Sequence, residues 1–554
     1  MIRSVTHTRS IHQSDTAAGT PAVADPAIHD IAVVGAGPGG YATALRAAEL
    51  GLDVVLVERD ATLGGTCLNR GCIPSKALIG ATHAIETARD AAAVGVRTTV
   101  GGIDFAALAE HRRRTVATMT DGLASLIAAR GIDVRRGEVA AIGRLDTSDG
   151  VYADDATVDD GTASDDATGN RTFRLTVVGT AGDTDDDPGI DATTHILARH
   201  VVVATGSRPR PLPGHPFGGP VIDSTQALEL DRFPERAVIV GAGAIALEFA
   251  SMWSVAGTHV TLLIRKDRVL SGWDRRAGMT LTRELKRRGV DVVTRSAIVG
   301  IDVVDDAHAT VRYTRDGGDE TAVDAQVVLA AIGREPATDA DWFDRAGIAR
   351  DAAGHIVTDP LGRTSADGIR AVGDVVAGHA LAHRAFAQGI AVAESIAGLD
   401  PEPVDEDTVP SIVFSTPEAA AVGLTADQAR ARGRYADVAE TVYPMRANAR
   451  MTMADAAGSL TLVTGRITAD DPTDAASDVT EPTDAATHRS CEPVVLGATI
   501  VAPGASDLIA ELQQIVGNRI PLSKAARFVH PHPTFAEAIG EALLKADGRP
   551  LHTR

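Results

Sequence analysis

A strand, a glycine-rich turn and a helix follow one another near the start of the chain, and the same succession returns later. In the first copy a buried strand over 30–34 leads into Gly35-Ala-Gly-Pro-Gly-Gly40, a helix over 41–50 and a strand over 53–57. Gly35 permits a tight turn, Gly37 lets a pyrophosphate approach the backbone, and Gly40 lets helix and strand pack closely. This unit predicts a parallel α/β sheet that binds a dinucleotide.

The second copy begins with a strand over 236–240, followed by Gly241-Ala-Gly-Ala-Ile-Ala246, a helix to about residue 255 and a strand over 259–264. Gly241 and Gly243 match the first two glycines of the first copy, whereas Ala246 stands where the third glycine usually lies. One such motif is weak evidence, but two in the right context predict two dinucleotide-binding domains.

The two copies differ where their second strand ends. Glu58 ends the first, at the position where a carboxylate accepts hydrogen bonds from a ribose. Ile264 occupies the matching position of the second copy, and Arg265 and Lys266 follow it. Two cations suit a ribose 2′-phosphate. The pattern favours NADP(H), while NAD(H) stays possible if both cations are ordinary surface charges.

Composition excludes several other classes of function. The 554 residues carry a net charge of -21 and only 3% aromatic residues, which disfavours binding to nucleic acid or to anionic membranes. No apolar run approaches the ~20 residues of a membrane span, and no metal site is expected.

Residues 145–195 (net -11) and 466–492 (net -5) hold most of the acidity, and we interpret them as solvated insertions. Docking of a basic partner is the alternative.

The chain has only three cysteines, and two of them lie in Gly64-Gly-Thr-Cys-Leu-Asn-Arg-Gly-Cys-Ile-Pro-Ser-Lys76. Residues 1–28 lack the apolar core of a secretory signal and resemble a disordered tail. A cytoplasmic, reducing compartment is therefore expected, where the pair Cys67 and Cys72 is more readily catalytic than structural.

These motifs together resemble the flavin-dependent pyridine nucleotide–disulfide oxidoreductases, the family of lipoamide dehydrogenase and glutathione reductase. The resemblance covers about residues 29–545, apart from the two insertions. Further matching segments begin at Ala204, Ala331, Ile369, Ser411 and His530. The fold that this resemblance implies is α/β, with two Rossmann-like domains for FAD and NAD(P) and a C-terminal α+β dimerisation domain.

The implied boundaries are a tail over 1–28, an FAD-binding domain over 29–212 with the acidic insertion 145–195, and an NAD(P)-binding domain over 213–335. A second FAD-binding segment would cover 336–405. The dimerisation domain would cover 406–548, with the acidic insertion 466–494.

The resemblance also assigns roles to side chains. Cys67 would exchange disulfides with the substrate, and Cys72 would face the flavin beside Lys76, which would pair with Glu248. His532 would be the acid/base, oriented by Glu537, and would act on the other subunit of an obligate homodimer. The remaining positions implied to contact cofactors are Thr66, Thr205, Gly206, Gly333, Asp374 and Ala382.

Lipoamide dehydrogenases are the closest branch by this resemblance, because Leu381-Ala-His-Arg384 is similar to their Leu-Ala-His-Lys and Ala244 replaces the tyrosine of glutathione reductases. The implied reaction moves two electrons between NAD(P)(H) and a small dithiol or disulfide, with lipoyl domains of a 2-oxoacid dehydrogenase complex as possible partners. Arg265 and Lys266 instead resemble an NADPH site, although Ser271 replaces its later arginine. An NADPH-dependent reductase of a glutathione- or mycothiol-type disulfide and a transhydrogenase-like flavoprotein therefore stay open.

Overall fold

The computed structural model describes residues 27–145, 171–179, 193–468 and 492–553. Residues 1–26 of the expected tail, most of both acidic windows and Cys491 lie outside these residues. Two expectations are corrected by the described part: Ile28, assigned to the tail, begins the first strand, and Thr172–Val178, in the middle of the first acidic window, is a largely buried strand and not a solvated loop. The edges of the two windows belong to strands, because Leu145, Thr193, Arg466 and Val494 each lie within one.

The first sheet is mixed and has the strand order β3-β2-β1-β6-β5-β4, with β17 also paired to β6. β1, β2, β3, β6 and β17 run parallel to one another, whereas β5 is antiparallel to β6 and forms an antiparallel ribbon with β4. The strands are β1 Ile28–Val34, β2 Val54–Glu58, β3 Asp133–Arg136, β4 Glu138–Leu145, β5 Thr172–Val178, β6 Thr193–Val203 and β17 Ile369–Ala371.

Helices cover one face of this sheet, and small residues let two of them approach closely. A Cβ on Gly389 would lie 2.6 Å from the Gly39 carbonyl oxygen, so the helices that carry these glycines pack almost backbone to backbone. All five residues of β2 are buried, as expected for a parallel strand covered on both faces. The helices of this region are α1 Pro38–Glu49, α2 Gly65–Arg70, α3 Cys72–Asp90, α4 Phe105–Ala129, α8 Trp342–Arg345 and α9 Ala382–Ile396.

The second sheet repeats the parallel arrangement with the order β11-β10-β9-β15-β8. An antiparallel sheet, β12-β13-β14, adjoins it. The strands are β8 Val221–Ile222, β9 Arg236–Val240, β10 His259–Ile264, β11 Asp291–Thr294, β12 Ser296–Asp305, β13 His308–Arg315, β14 Glu320–Ala325 and β15 Val327–Ala330. The helices are α5 Ser224–Glu229, α6 Ala244–Ala256 and α7 Arg275–Arg287.

Both predicted strand–turn–helix–strand units are confirmed, and their registers match. In the first sheet Val34 pairs with Val57, and in the second Val240 pairs with Leu263. Each glycine turn therefore starts one residue after an equivalent pair, which places Ile264 at the position of Glu58.

The two connections between the parallel sheets pair with each other. β7 (Ser207–Pro209) leaves the first sheet and β16 (Arg334–Pro336) returns to it, and the two form an antiparallel ribbon of three residue pairs.

The C-terminal part is an antiparallel sheet with the order β18-β19-β22-β21-β20, packed against helices. Its strands are β18 Ser411–Val413, β19 Ala419–Gly423, β20 Tyr435–Tyr443, β21 Ser459–Ile467 and β22 Val494–Val501. Its helices are α10 Ala426–Ala431, α11 Ala449–Met453, α12 Ala505–Gly517, α13 Leu522–Ala525 and α14 Glu537–Ala546. Short 3₁₀ turns span Ala91–Val94, Gly373–Val375, Glu406–Thr408 and Met445–Ala447.

Candidate active site

The cysteine motif forms two helices joined by one glycine. Gly64 has a φ of 103°, and a Cβ there would lie 2.4 Å from Leu68, so the turn into α2 requires glycine. Cys67 lies within α2. Gly71 ends that helix, and Cys72 is the first residue of the 19-residue α3. The spacing of five positions therefore places one thiol in a short helix and the other at the N-terminus of a long one.

The two thiols are free and hydrogen-bonded to each other, and their environments differ. The hydrogen bond from Cys67 lowers the pKa of Cys72 to about 7, with a further contribution from Lys76. The positive end of the α3 dipole also favours a thiolate at this position. The same hydrogen bond and burial raise the pKa of Cys67. The pair therefore carries its negative charge on Cys72 and its proton on Cys67.

Lys76 lies one turn after Cys72 and connects three parts of the chain. Its Nζ lies 2.9 Å from Glu248 Oε2 on α6 and 4.6 Å from the centre of the Phe414 ring. Glu248 is buried, and its Oε1 accepts a hydrogen bond from the Phe414 backbone N–H at 3.1 Å. The ammonium beside the thiols is thus held by the second sheet's helix and by the C-terminal sheet.

The first glycine turn forms a cradle that a side chain would fill. A Cβ on Gly35 would lie 2.5 Å from the Ala204 carbonyl oxygen, and one on Gly40 would lie 1.8 Å from that of Gly35. A Cβ on Gly37, by contrast, would have no atom closer than the Gly65 Cα at 4.0 Å. The backbone at Gly37 is therefore open to a ligand. Buried Glu58 accepts a hydrogen bond from the Ala36 N–H at 2.7 Å. These residues fit FAD, with its pyrophosphate at the start of α1.

Asp374 belongs to a polar cluster that the sequence did not predict. Its carboxylate accepts a hydrogen bond from the Ser207 hydroxyl, which in turn accepts one from Arg334 Nε at 2.7 Å. Arg334 also donates to the Ser207 carbonyl oxygen at 2.6 Å. Burial lowers the pKa of Arg334. Ser207 and Arg334, which were not predicted as site residues, lie in the motifs at 204–209 and 331–336. Their residue types alone do not distinguish them from ordinary turn residues.

The other expected cofactor positions cluster around the same ribbon and cradle. The Thr205 hydroxyl donates to the Ala337 carbonyl oxygen at 2.9 Å, and Gly206 and Gly333 have open left-handed backbones. Thr66 is half-buried in α2. Ala382 is the first residue of α9, where the N-cap Leu381 offers no side-chain acceptor, so the first backbone N–H groups are available to a ligand.

The second glycine turn has the same construction. A Cβ on Gly241 would lie 2.2 Å from the Ala331 carbonyl oxygen, whereas one on Gly243 would meet nothing within 4 Å. Ala246, in place of the third glycine, is fully buried against this turn. Ile264 is also fully buried, and Arg265 and Lys266 are exposed directly after it. A pyridine nucleotide fits this turn, with both cations at the end of β10.

The structure brings His532 and Glu537 together but separates them from the thiols. His532 Nδ1 lies 2.7 Å from Glu537 Oε1, and Glu537 Oε2 also accepts the Thr534 N–H at 3.0 Å. The His532 side chain is 75% exposed, so its Nε2 is free to face another molecule. Within the described ranges, no hydrogen bond or ion pair joins His532 to either cysteine of its own chain.

No group of three or more metal-ligating side chains occurs among the residues that the structure describes. In the same part of the chain, no helix is both long and apolar enough to cross a membrane.

Known proteins share both the sequence and this architecture. Residues 29–389 match the family described as pyridine nucleotide-disulphide oxidoreductase, and residues 487–543 match its dimerisation domain. The dihydrolipoyl dehydrogenase of Geobacillus stearothermophilus is 36% identical over 94% of this chain and 96% of its own, and that of Bacillus subtilis is 33% identical over 94% and 97%. The crystal structure of LpdA from Mycobacterium tuberculosis superposes with a TM-score of 0.75 at 25% identity, covering 94% of this chain and 100% of that one.

These matches extend over nearly the whole chain. They confirm the family resemblance inferred from the motifs, and they confirm the predicted fold class. The chain belongs to the pyridine nucleotide-disulphide oxidoreductase family and is an FAD-dependent disulfide oxidoreductase.

Proposed function

We propose that the protein is a dihydrolipoyl dehydrogenase, which oxidises a small dithiol of the lipoyl type and reduces a pyridine nucleotide. The observation that carries this proposal is the unequal thiol pair beside the Lys76–Glu248 ion pair. The names of the relatives that match most of the chain support the lipoyl substrate. Lipoyl domains of a 2-oxoacid dehydrogenase complex are the corresponding protein partners, and a reducing cytoplasmic compartment suits thiols that must cycle.

The chemistry at the thiols starts from the Cys67–Cys72 disulfide. A substrate thiolate attacks Cys67 Sγ, the Cys67–Cys72 bond breaks, and Cys72 leaves as a thiolate. The second substrate thiol then displaces Cys67, so the dithiol becomes a disulfide and both cysteines are reduced. A low thiol pKa makes a better leaving group, which suits Cys72 for the first step.

These steps need a base and then an acid, because the substrate thiols are protonated near neutral pH and Cys67 takes up a proton once it is displaced. His532, oriented by Glu537, is the proposed base. Its exposure and its separation from the thiols of its own chain support action on a second copy in a homodimer. FAD, when bound, supplies the hydride transfer that no side chain provides.

NADP(H) is the proposed nucleotide, because Arg265 and Lys266 are exposed at the end of the strand where Glu58 has no counterpart. This same observation favours a second candidate function, an NADPH-dependent reductase of another small disulfide.

Steady-state kinetics with NAD(H) and NADP(H), each against lipoamide and glutathione disulfide, test both functions. We expect turnover with lipoamide and its dithiol, and a higher kcat/KM for NADP(H). Activity with glutathione disulfide alone would favour the second candidate.

Removing both cations tests the nucleotide separately. The variant Arg265→Ala/Lys266→Ala should lose roughly ten- to a hundredfold in kcat/KM for NADP(H), since each charge-assisted bond contributes about 1.5–3 kcal/mol at most and these are exposed. Its kcat/KM for NAD(H) should change little. Arg283→Ala, an exposed arginine on α7, is the matched control. A wild-type preference for NAD well beyond tenfold would contradict the assignment.

A further inference from the structure

A second histidine–glutamate pair lies two residues before His532. His530 Nε2 lies 2.8 Å from Glu511 Oε1 on α12, and its Nδ1 lies 3.2 Å from the Phe528 carbonyl oxygen. The His530 side chain is 10% exposed, in contrast to that of His532. The segment that carries the proposed base is thus anchored by one largely enclosed imidazole.

Both neighbours of this imidazole can only accept hydrogen bonds. A carboxylate and a backbone carbonyl have no proton to give, and a neutral imidazole carries only one N–H. Satisfying both contacts therefore requires the doubly protonated ring. Two acceptors at hydrogen-bond distance from the two ring nitrogens therefore favour a cationic His530.

The charged groups that face this ring agree with that assignment. Glu511 approaches from α12 and Glu537 from α14, and both are acidic. The hydrogen bond with Glu511 raises the pKa of His530 above its ordinary value, and Glu537 adds to this.

Close packing also fixes the position of the His530 ring. A Cβ on Gly540, one turn after Glu537 on α14, would lie 2.4 Å from His530 Nδ1. The imidazole therefore rests directly on the backbone of the helix that orients His532.

We propose that His530 is a positioning residue: as an imidazolium clamped between Glu511 and the Phe528 carbonyl, it holds segment 528–534 so that His532 meets the thiols of the second subunit. This inference rests on the proposed role of His532. It assigns to His530 no contact with substrate or cofactor.

The first test uses His530→Leu in the FAD-loaded dimer. Its kcat for dihydrolipoamide oxidation should fall roughly ten- to a hundredfold, because a displacement of about 1 Å at an acid/base costs that much. Reduction of ferricyanide by NAD(P)H should persist, because ferricyanide takes electrons from the reduced flavin without thiol exchange. Unchanged dithiol turnover, or equal loss of both activities, would overturn the proposal.

The pH profile supplies a readout that a purely structural role would not move. Because the pKa of His530 is raised, its ring loses the second N–H donor only as the pH rises through that pKa. The rate of dithiol oxidation should therefore fall on the alkaline side of the profile. Glu511→Gln removes the charge that raises the pKa and should move this alkaline limb to lower pH. A limb that stays in place contradicts the proposed clamp.

Two further variants keep the test independent of misfolding. Gly540→Ala leaves the chemistry of His530 intact but should displace it, with the same selective loss of dithiol turnover. His308→Leu removes an exposed histidine–carboxylate pair with Asp305 in the β12–β13–β14 sheet and should change neither the activity nor the pH profile. If the wild type rejects dihydrolipoamide, the proposed function fails, and the variants are then measured with the disulfide that the wild type accepts.

Discussion

At the scale of residues, side chains of the same type differ within the site, the two cysteines in pKa and the two histidines in exposure. Cys67 and Cys72 are chemically identical side chains, yet a shared hydrogen bond and a helix start give them opposite pKa shifts. His530 and His532 are likewise separated by burial, one clamped and one exposed. These differences depend on neighbours that are distant in sequence, such as Glu248 for Lys76 and Glu511 for His530.

Replacing Lys76 tests the difference between the thiols. In the reduced protein, thiolate absorbance in the ultraviolet should develop around pH 7 as Cys72 titrates. Lys76→Met removes a cation that lowers this pKa, so the transition should move to higher pH and kcat should fall. Lys286→Met, an exposed lysine on α7, is the control. An unchanged transition would show that Lys76 does not stabilise the thiolate.

At the scale of elements, sequence reasoning succeeded where structure is local and repeated. Both glycine turns have a strict strand–turn–helix pattern, so their strands and the equivalence of Glu58 and Ile264 were predictable. The Ser207–Arg334–Asp374 cluster was not, since three ordinary polar residues become a network only when β7 pairs with β16. The link from Lys76 to Glu248 was expected only through the family resemblance.

Two glycines of one turn should separate folding from binding. Gly241→Ala puts a Cβ 2.2 Å from a carbonyl oxygen at a φ of 149°, so it should destabilise the fold by about 1–3 kcal/mol and lower Tm by several degrees. Gly243→Ala has free space and should leave Tm nearly unchanged while raising the KM for the pyridine nucleotide.

Thermal unfolding and nucleotide kinetics of the two variants provide the check. Equal losses of Tm in both would contradict the distinct roles of these glycines.

At the scale of the whole molecule, no hydrogen bond or ion pair among the described residues joins the proposed base to the thiols of its own chain. Cys67 packs against the core of the first sheet, whereas His532 is exposed between the last two helices of the C-terminal part. The match to a dimerisation domain supports our proposal that a second copy supplies this base.

Mixed dimers of Cys67→Ser and His532→Gln chains test this exchange. If His532 acts on the partner's thiols, one site of each mixed dimer keeps both native residues. Random assembly of equal amounts should then restore about a quarter of wild-type turnover. Action within one chain would leave the mixture as inactive as its parents, measured with dihydrolipoamide after co-expression.

The ribbon formed by β7 and β16 has a mechanical consequence. Both strands that connect the two parallel sheets lie in this ribbon, where three residue pairs join them. The second parallel sheet with its helices is therefore connected to the first through two paired strands, and it also packs against α3 and the C-terminal sheet. Because Ser207 and Arg334 lie in that ribbon and form a hydrogen-bonded cluster with Asp374, a shift of either connecting strand would displace the carboxylate that we expect to hold the flavin's ribityl chain.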